Sequence, residues 1–183
     1  MMTPAQGILL IADPFLKDPN FMRTVIFLCE HQDEGSFGFV LNRPYEYTLD
    51  ELVTGAEGIK LPVFQGGPVQ MDTIHFLHQH PDLIPGGFKV INGVYWGGNF
   101  ETAIELIKSG QIHPDNIRFY VGYSGWSGGQ LTDELKEKSW LTVEANQRIV
   151  FHQPLEETWK AALRLMGSEY EMLINFPIDP RLN

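Results

Sequence analysis

Apolar residues occur in short runs separated by turn residues through the first half of the chain, which is typical of a sheet of short strands. Residues 7–12 (GILLIA) and 24–29 (TVIFLC) are apolar or β-branched at nearly every position, so we expect buried strands inside the sheet. Shorter runs predict further strands at residues 39–41, 61–65, 73–77, 88–91 and 117–121.

Glycine and proline positions predict how the first strands connect. The stretch Gly35-Ser36-Phe37-Gly38 predicts a turn between strands 24–29 and 39–41, and two strands joined by a short loop favour an antiparallel pair. Glu30 and His31 are then expected to leave the first strand just before this turn. Residues 13–20 (DPFLKDPN) predict a loop, because each proline restricts the residue before it.

Three helices are predicted in the second half of the chain. Asn99 has the character of an N-cap before apolar residues at helical spacing, and Gly110 follows the last turn. Ser127 is the predicted cap of a helix over residues 131–138, and Pro154 is expected to open a helix that Gly167 ends. Consecutive strands with helices inserted late indicate a single α+β domain over residues 1–183.

Charge and cysteine content restrict the classes of function. The chain has 183 residues, 23 acidic against 13 basic, and a formal net charge of -10. The cations are scattered, whereas DNA binding depends on clustered cations, so direct nucleic-acid binding is not expected. Cys29 is the only cysteine and is expected to be a buried, inert thiol. No apolar run has the length of a signal or membrane segment, which predicts a cytoplasmic protein without a membrane partner.

The glycine-rich stretch from Gly122 to Gln130 follows a predicted strand and precedes a predicted helix. Residues 125–129 (GWSGG) match the G-x-S-x-G pattern of a nucleophile elbow. Only His152 lies downstream as a triad base, and a parallel hydrolase scaffold is not visible in the pattern. We therefore favour a glycine turn with a capping serine over a serine hydrolase.

His75, His78 and His80 lie near the end of a predicted strand. Alternation along a strand would place His78 and His80 on one face and His75 on the other, whereas zinc needs three or four converging ligands. We expect ordinary polar histidines, no metal site and no cofactor.

Polar residues gather at strand ends and in one loop, where functional groups often lie: Asp13, Asp18, Asn20, Arg23, Glu30, His31, Asn42 and Arg43. Two interpretations stay open. These residues form a binding surface, or they are caps and turn hydrogen bonds, with one arginine–carboxylate pair, that fix a twisted sheet. For Arg43 a structural clamp on the Asp-Pro loop is slightly favoured.

The chain resembles the AlgH family of bacterial proteins, which are often labelled transcriptional regulators. The shared motifs are GILLIADP at 7–14, DPNF at 18–21 with Arg23, Glu30-His31, GFVLNRP at 38–44, FQGGPV at 64–69, Leu77-His78, and GYSGW at 122–126 with Gln130-Leu131. The match is strongest over residues 7–141. It implies a bent, mostly antiparallel, bifurcated sheet that forms a partial barrel flanked by several helices, and it implies no established activity or cofactor.

Five residues of these motifs join the polar set as a candidate binding surface: Gly66, Gly67, Gly122, Trp126 and Gln130. We predict a non-enzymatic cytoplasmic accessory or regulatory protein that acts through a ligand or protein partner. One alternative is an enzyme, hydrolytic or nucleotide-directed, that uses the Asp13–Arg43 and Gly122–Gln130 loops. The other is a regulator that binds nucleic acid directly. A deep acid–base pocket would favour the enzyme, and a basic stripe would favour the nucleic-acid binder.

Overall fold

A computed structural model describes residues 2–175, so Met1 and residues 176–183 of the predicted domain lie outside it. In these described residues, ten strands pair into one curled sheet: β1 Ile8–Ala12, β2 Val25–Gln32, β3 Gly35–Val40, β4 Pro44–Thr48, β5 Pro62–Gln65, β6 Val69–His78, β7 Phe88–Ile91, β8 Val94–Trp96, β9 Ile117–Ser127 and β10 Trp140–Glu144. The predicted strands of both apolar runs are confirmed, with β1 and β2 side by side in the sheet.

The sheet order is β10-β1-β2-β3-β9-β6-β8-β7, and it branches at β9. This strand has 11 residues, enough for two partners in succession. Its second half pairs with β3 in an antiparallel manner, while residues 119–121 pair in parallel with β5, which carries β4. The predicted α+β class and the bent, bifurcated, mostly antiparallel sheet are therefore confirmed.

The sheet curls until β7, at one end, lies against the residues that begin β1, near the other end. No continuous ladder of backbone hydrogen bonds joins the two among the described residues. Gln6 Nε2 donates to the carbonyls of Lys89 and Val90 at 3.2 and 3.0 Å. Gly7 lies so close to β7 that an added Cβ would be 2.6 Å from Cγ2 of Ile91. A side-chain amide and a glycine contact thus bring β1 against β7 and complete the partial barrel.

Within the described part of the chain, five α-helices flank the sheet: α1 Leu49–Leu52, α2 Phe100–Lys108, α3 Gln130–Lys136, α4 Gln147–Val150 and α5 Thr158–Leu165. Leu9 and Ile11 of β1 pack inward in one cluster with Trp159 of α5, and Leu10 packs outward with Trp140. Both faces of β1 are covered, which explains its uniformly apolar sequence. Among residues 2–175, no helix is long and apolar enough to span a membrane.

The observed helix boundaries agree only in part with those predicted from the sequence. Asn99 Oδ1 accepts from the Thr102 amide at 2.9 Å, as predicted for the cap of α2. The α3 helix instead begins at Gln130 with Gly129 as its N-cap, so the predicted Ser127 cap is wrong. A 3-10 turn over Leu155–Glu157 follows Pro154, and α5 begins only at Thr158.

The predicted turn at residues 35–38 is also wrong. The turn lies at residues 33–34, between the paired residues Gln32 and Gly35, so Glu30 and His31 lie inside β2. Gly38 is a strand residue whose missing side chain leaves room for the neighbouring strand, since a Cβ there would lie 2.3 Å from the Phe27 carbonyl oxygen. The glycine-rich stretch after residue 121 likewise continues as β9 to Ser127.

Candidate functional site

The candidate residues lie at opposite ends of β2. Arg23, Asn42 and Arg43 are near its beginning, whereas Glu30 and His31 are near its end. Seven residue steps from Val25 to Gln32 correspond to about 23 Å along an extended strand. The structure therefore does not bring the polar set into one site.

Asn42 and Arg43 hold the loop between β1 and β2. Asn42 Oδ1 accepts from the Val25 amide at 3.0 Å, and its Nδ2 donates to the Arg23 carbonyl at 2.9 Å. Arg43 donates from Nη1 to the Pro19 carbonyl at 2.9 Å and from Nη2 to the Met22 carbonyl at 3.2 Å. The expected arginine–carboxylate pair is replaced by bonds to backbone carbonyls. Burial lowers the pKa of Arg43, and the charge of Asp18 acts in the opposite direction.

The acidic residues of this loop bond within their own turns. Asp13 Oδ1 accepts from the Phe15 amide at 2.9 Å, and Asp18 Oδ1 accepts from the Asn20 amide at 2.8 Å. These two carboxylates cap local turns, and the Asn20 side chain is exposed.

The three candidate glycines lie where the backbone of the β5–β6 connection packs closely against that of β9. The Gly66 carbonyl accepts from the Val40 amide at 2.8 Å and from Ser124 Oγ at 3.0 Å. A Cβ on Gly67 would lie 2.2 Å from the Tyr123 carbonyl, and one on Gly122 would lie 2.5 Å from the Gly67 carbonyl oxygen. Their place in the fold is to let the β5–β6 connection cross β9.

Ser127 and Gln130 form a small hydrogen-bonded turn. Gln130 Oε1 accepts from the Ser127 amide at 3.0 Å and lies 3.3 Å from its Oγ. An elbow nucleophile stands on a strained backbone. Among the described residues the non-glycine positions with positive φ are Arg23, Gln70 and Lys138, so Ser127 lacks that strain.

The histidines do not converge. His78 Nδ1 accepts from the His80 amide at 3.1 Å, so its Nε2 carries the proton and donates to the Gly97 carbonyl at 2.9 Å. His80 Nε2 lies 3.3 Å from Nδ2 of the Asn116 side chain. Within residues 2–175 no group of three histidine, cysteine or acidic residues is placed to hold a metal. Cys29 is buried, and burial together with the Glu30 charge raises the pKa of its thiol.

The site that sequence reasoning missed is a cavity of about 620 Å³ at one end of the barrel. We call it the barrel mouth. Its lining comprises Glu30, Gln32, Glu34, Gly35, Ser36, Phe37, Val69, His75, Trp96, Tyr123, Gly125, Trp126 and Ser127. Glu30 and Trp126 are the members of the candidate surface that reach it.

A β-bulge in β2 places Glu30 at the barrel mouth. Leu28 pairs with Gly38 and Glu30 pairs with Phe37, so Cys29 is an extra residue. An uninterrupted strand would put Glu30 on the face of Leu28, which packs outside the barrel. The extra residue reverses this alternation and turns the Glu30 carboxylate towards the face of Phe37.

Four aromatic rings of the barrel mouth contact one another in a closed circuit. Phe37 lies 4.8 Å from Trp96 and 5.9 Å from Tyr123 between ring centroids. His75 completes the circuit at 5.9 Å from Tyr123 and 6.2 Å from Trp96. Each ring is only partly buried. These rings come from β3, β6, β8 and β9, so only the folded sheet assembles them.

The charge at the barrel mouth is negative. Glu30 and Glu34 supply carboxylates, and no lysine or arginine is among its described lining residues. Burial lowers the pKa of His75, so its imidazole is neutral at pH 7 and presents a ring rather than a charge. Aromatic rings with adjacent carboxylates attract organic cations.

The comparisons with known proteins agree with this fold. The AlgH-like family profile matches residues 9–171. A UPF0301 protein of Chlorobium limicola is 45% identical over 177 residues, covering 97% of this chain and 95% of its own. One from Cytophaga hutchinsonii is 40% identical over 179 residues, covering 97% and 98%.

Two solved structures share the architecture. The solution structure of the AlgH protein from Pseudomonas aeruginosa has a TM-score of 0.73 at 29% identity and covers 97% of this chain and 98% of that one. A crystal structure of a protein from Corynebacterium diphtheriae has a TM-score of 0.77 at 22% identity, covers 96% and 94%, and indicates the fold alone. The chain belongs to the AlgH-like family.

Proposed function

We propose that this protein is a non-enzymatic, cytoplasmic binding protein that holds a cationic group in the barrel mouth and acts as an accessory or regulatory factor through that ligand or partner. The observation that carries the proposal is the closed circuit of Phe37, His75, Trp96 and Tyr123 beside the Glu30 carboxylate. A cavity of about 620 Å³ lies within the roughly 300–1,000 Å³ range of small-ligand sites.

The chemistry of the barrel mouth supports binding over catalysis. The hydroxyl of Ser127 is exposed and its hydrogen bond goes to Gln130 rather than to a histidine. His75 is hydrogen-bonded to Thr73, with 3.2 Å between Nε2 and Oγ1, and it packs against rings rather than carboxylates. Neither residue has the base–orienter pair that activates a nucleophile.

The ligand class follows from the residues of the lining. An ammonium or guanidinium group would gain cation–π attraction from the rings and Coulomb attraction from Glu30 and Glu34. Such a group occurs on small organic cations and on basic side chains of partner proteins. Both present the same chemistry to the barrel mouth.

Titrations with tetramethylammonium and guanidinium, monitored through tryptophan side-chain NMR signals, test the proposal. We expect both cations to shift the Trp96 indole signal, and tert-butanol, a neutral molecule of similar shape, to leave it unchanged. Glu30→Gln should weaken cation binding several-fold, while Glu46→Gln on exposed β4 should not. Equal response to cation and alcohol, or an unaffected Glu30→Gln variant, would reject the cation site.

A further inference from the structure

A second cavity, of about 670 Å³, lies at the opposite end of β2 between the β1–β2 loop and α5. Three cationic side chains line it: Arg23, Arg43 and Lys160. Among its described lining residues the one carboxylate is that of Glu156. We call this the arginine cavity. Its net positive lining contrasts with the formal net charge of -10 for the whole chain.

The two arginines of the arginine cavity are held in place by the fold. The Arg23 guanidinium lies 4.2 Å above the Trp159 ring, and the indole is fixed by its own bond to the Ala12 carbonyl at 2.9 Å. Arg43 is fixed by its two carbonyl partners, which engage two of its five N–H donors. A fixed guanidinium with N–H donors to spare, as at Arg43, is a pre-organised feature for an oxyanion.

Within residues 2–175, no carboxylate oxygen lies within 4.0 Å of the nitrogens of Arg43 or Lys160. Burial lowers the pKa of Arg43. A partly buried cation of this kind gains most from a negatively charged hydrogen-bond acceptor.

Apart from Thr24 and Asn42, the rest of the lining is apolar. Met22, Pro44, Leu155 and Trp159 form the walls between the charged groups. Such walls suit a flat carbon body rather than a bare hydrated ion. From these features we infer that the arginine cavity binds a small organic oxyanion, a carboxylate or phosphate monoester carried on an apolar ring, independently of the barrel mouth.

The test uses benzoate and phenyl phosphate as probes and benzamide as the neutral counterpart of benzoate. Titrations into the full chain are monitored by the indole signal of Trp159. We expect saturable shifts from at least one anion with a dissociation constant of roughly 1 mM or tighter. Benzamide should give none. A response to benzoate alone or to phenyl phosphate alone assigns the natural ligand to carboxylates or phosphate esters.

Two variants distinguish anion binding in the arginine cavity from non-specific attraction by the overall charge. Lys160→Gln should weaken anion binding about tenfold, because it removes a charged donor from the lining. Lys136→Gln changes the same net charge on exposed α3, outside the arginine cavity, and should leave binding unchanged. Thermal melts of both variants verify that the fold is kept. Equal effects of the two variants, equal binding of benzamide, or no saturable anion binding would each overturn the inference.

Discussion

Arg43 shows how one side chain substitutes for regular secondary structure. The loop from Asp13 to Thr24 contains two prolines and lies against the sheet through backbone carbonyls that need donors. The guanidinium supplies two donors in a fixed geometry, which an ammonium group cannot match. The arginine's partner could not be predicted from sequence, because the nearby aspartates turned out to bond to their own turns.

Replacing Arg43 should therefore reduce stability. We expect Arg43→Lys to cost about 1 kcal/mol and Arg43→Ala about 2 kcal/mol in free energy of unfolding, since hydrogen bonds to charged groups contribute in this range. Urea denaturation measures both. Lys17→Ala, an exposed position in the same loop, should stay within roughly 0.5 kcal/mol of wild type. Two Arg43 variants as stable as the Lys17 control would show that the arginine does not clamp the loop.

Gly122 and Gly129 distinguish backbone strain from steric exclusion. Both have positive φ, 67° and 83°, so alanine at either position is strained by about 1 kcal/mol or more. Only at Gly122 would the new methyl group also meet the Gly67 carbonyl at 2.5 Å, whereas nothing lies within 4 Å at Gly129. We expect Gly122→Ala to lower the unfolding free energy by at least about 2 kcal/mol more than Gly129→Ala. Similar melting curves for the two variants would contradict the close approach of β9 to the β5–β6 connection.

His75 gives the barrel mouth a pH dependence. Its folded-state pKa lies below the ordinary 6.5, so the unfolded chain binds the proton more readily and the neutral ring contributes stability above that value. As pH falls below about 6.5 this contribution is lost, and a protonated ring repels a bound cation. Tetramethylammonium affinity should thus decrease from its value at pH 7.5 as the pH falls through the folded-state pKa of His75, which lies below 6.5. His75→Phe keeps a ring without titration, and an identical pH profile in that variant would assign the effect to another group.

At the scale of elements, the junction of β9 and α3 differs in structure from what its sequence motifs predict. The G-x-S-x-G pattern and the Ser-x-x-Gln spacing are both present, yet the strand runs on through the glycines and Gly129 takes the N-cap position. Gln130 supplies the side-chain bond by accepting from the Ser127 amide.

This reversal of roles predicts unequal effects of substitution. Ser127→Ala should change stability by less than about 0.5 kcal/mol, because the exposed hydroxyl caps no amide. Gln130→Ala should cost about 1 kcal/mol, because the Ser127 amide loses its acceptor. Differential scanning calorimetry on both variants provides the comparison. Covalent modification of Ser127 by a fluorophosphonate would instead support the hydrolase interpretation.

The elements that follow most directly from the sequence have a long apolar run or a clear cap. The apolar strands β1, β2 and β5 and the capped helix α2 follow from local pattern. The β4 strand (PYEYT) is mostly exposed, and β8 has three residues, so neither carries a clear period. The β10 strand is recognisable only through its pairing with β1. The β-bulge at Cys29 has no recognisable sequence signal. The direction of the Glu30 side chain depends on this bulge, so it could not be predicted from the sequence.

At the scale of the whole molecule, charge is divided between two ends of the barrel. The barrel mouth has carboxylates and aromatic rings, and the arginine cavity has the clustered cations. Each cavity lining combines residues from separate strands or loops. Sequence position alone therefore placed Glu30 and Arg43 in one candidate surface, although they line different cavities. The exposed Phe15 and Met172 side chains lie outside both cavity linings.

This distribution bears on nucleic-acid binding, the third interpretation of the sequence. Duplex affinity grows with the number of phosphates that cations neutralise along a continuous surface. Arg23, Arg43 and Lys160 instead line one concave cavity, and the remaining charge is strongly acidic. We expect duplex DNA to bind no tighter than roughly 10⁻⁴ M at physiological salt. Fluorescence anisotropy with a labelled duplex at two salt concentrations measures this, and micromolar, salt-sensitive binding lost in Lys160→Gln would mean that the arginine cavity contacts phosphates of DNA rather than a small organic anion.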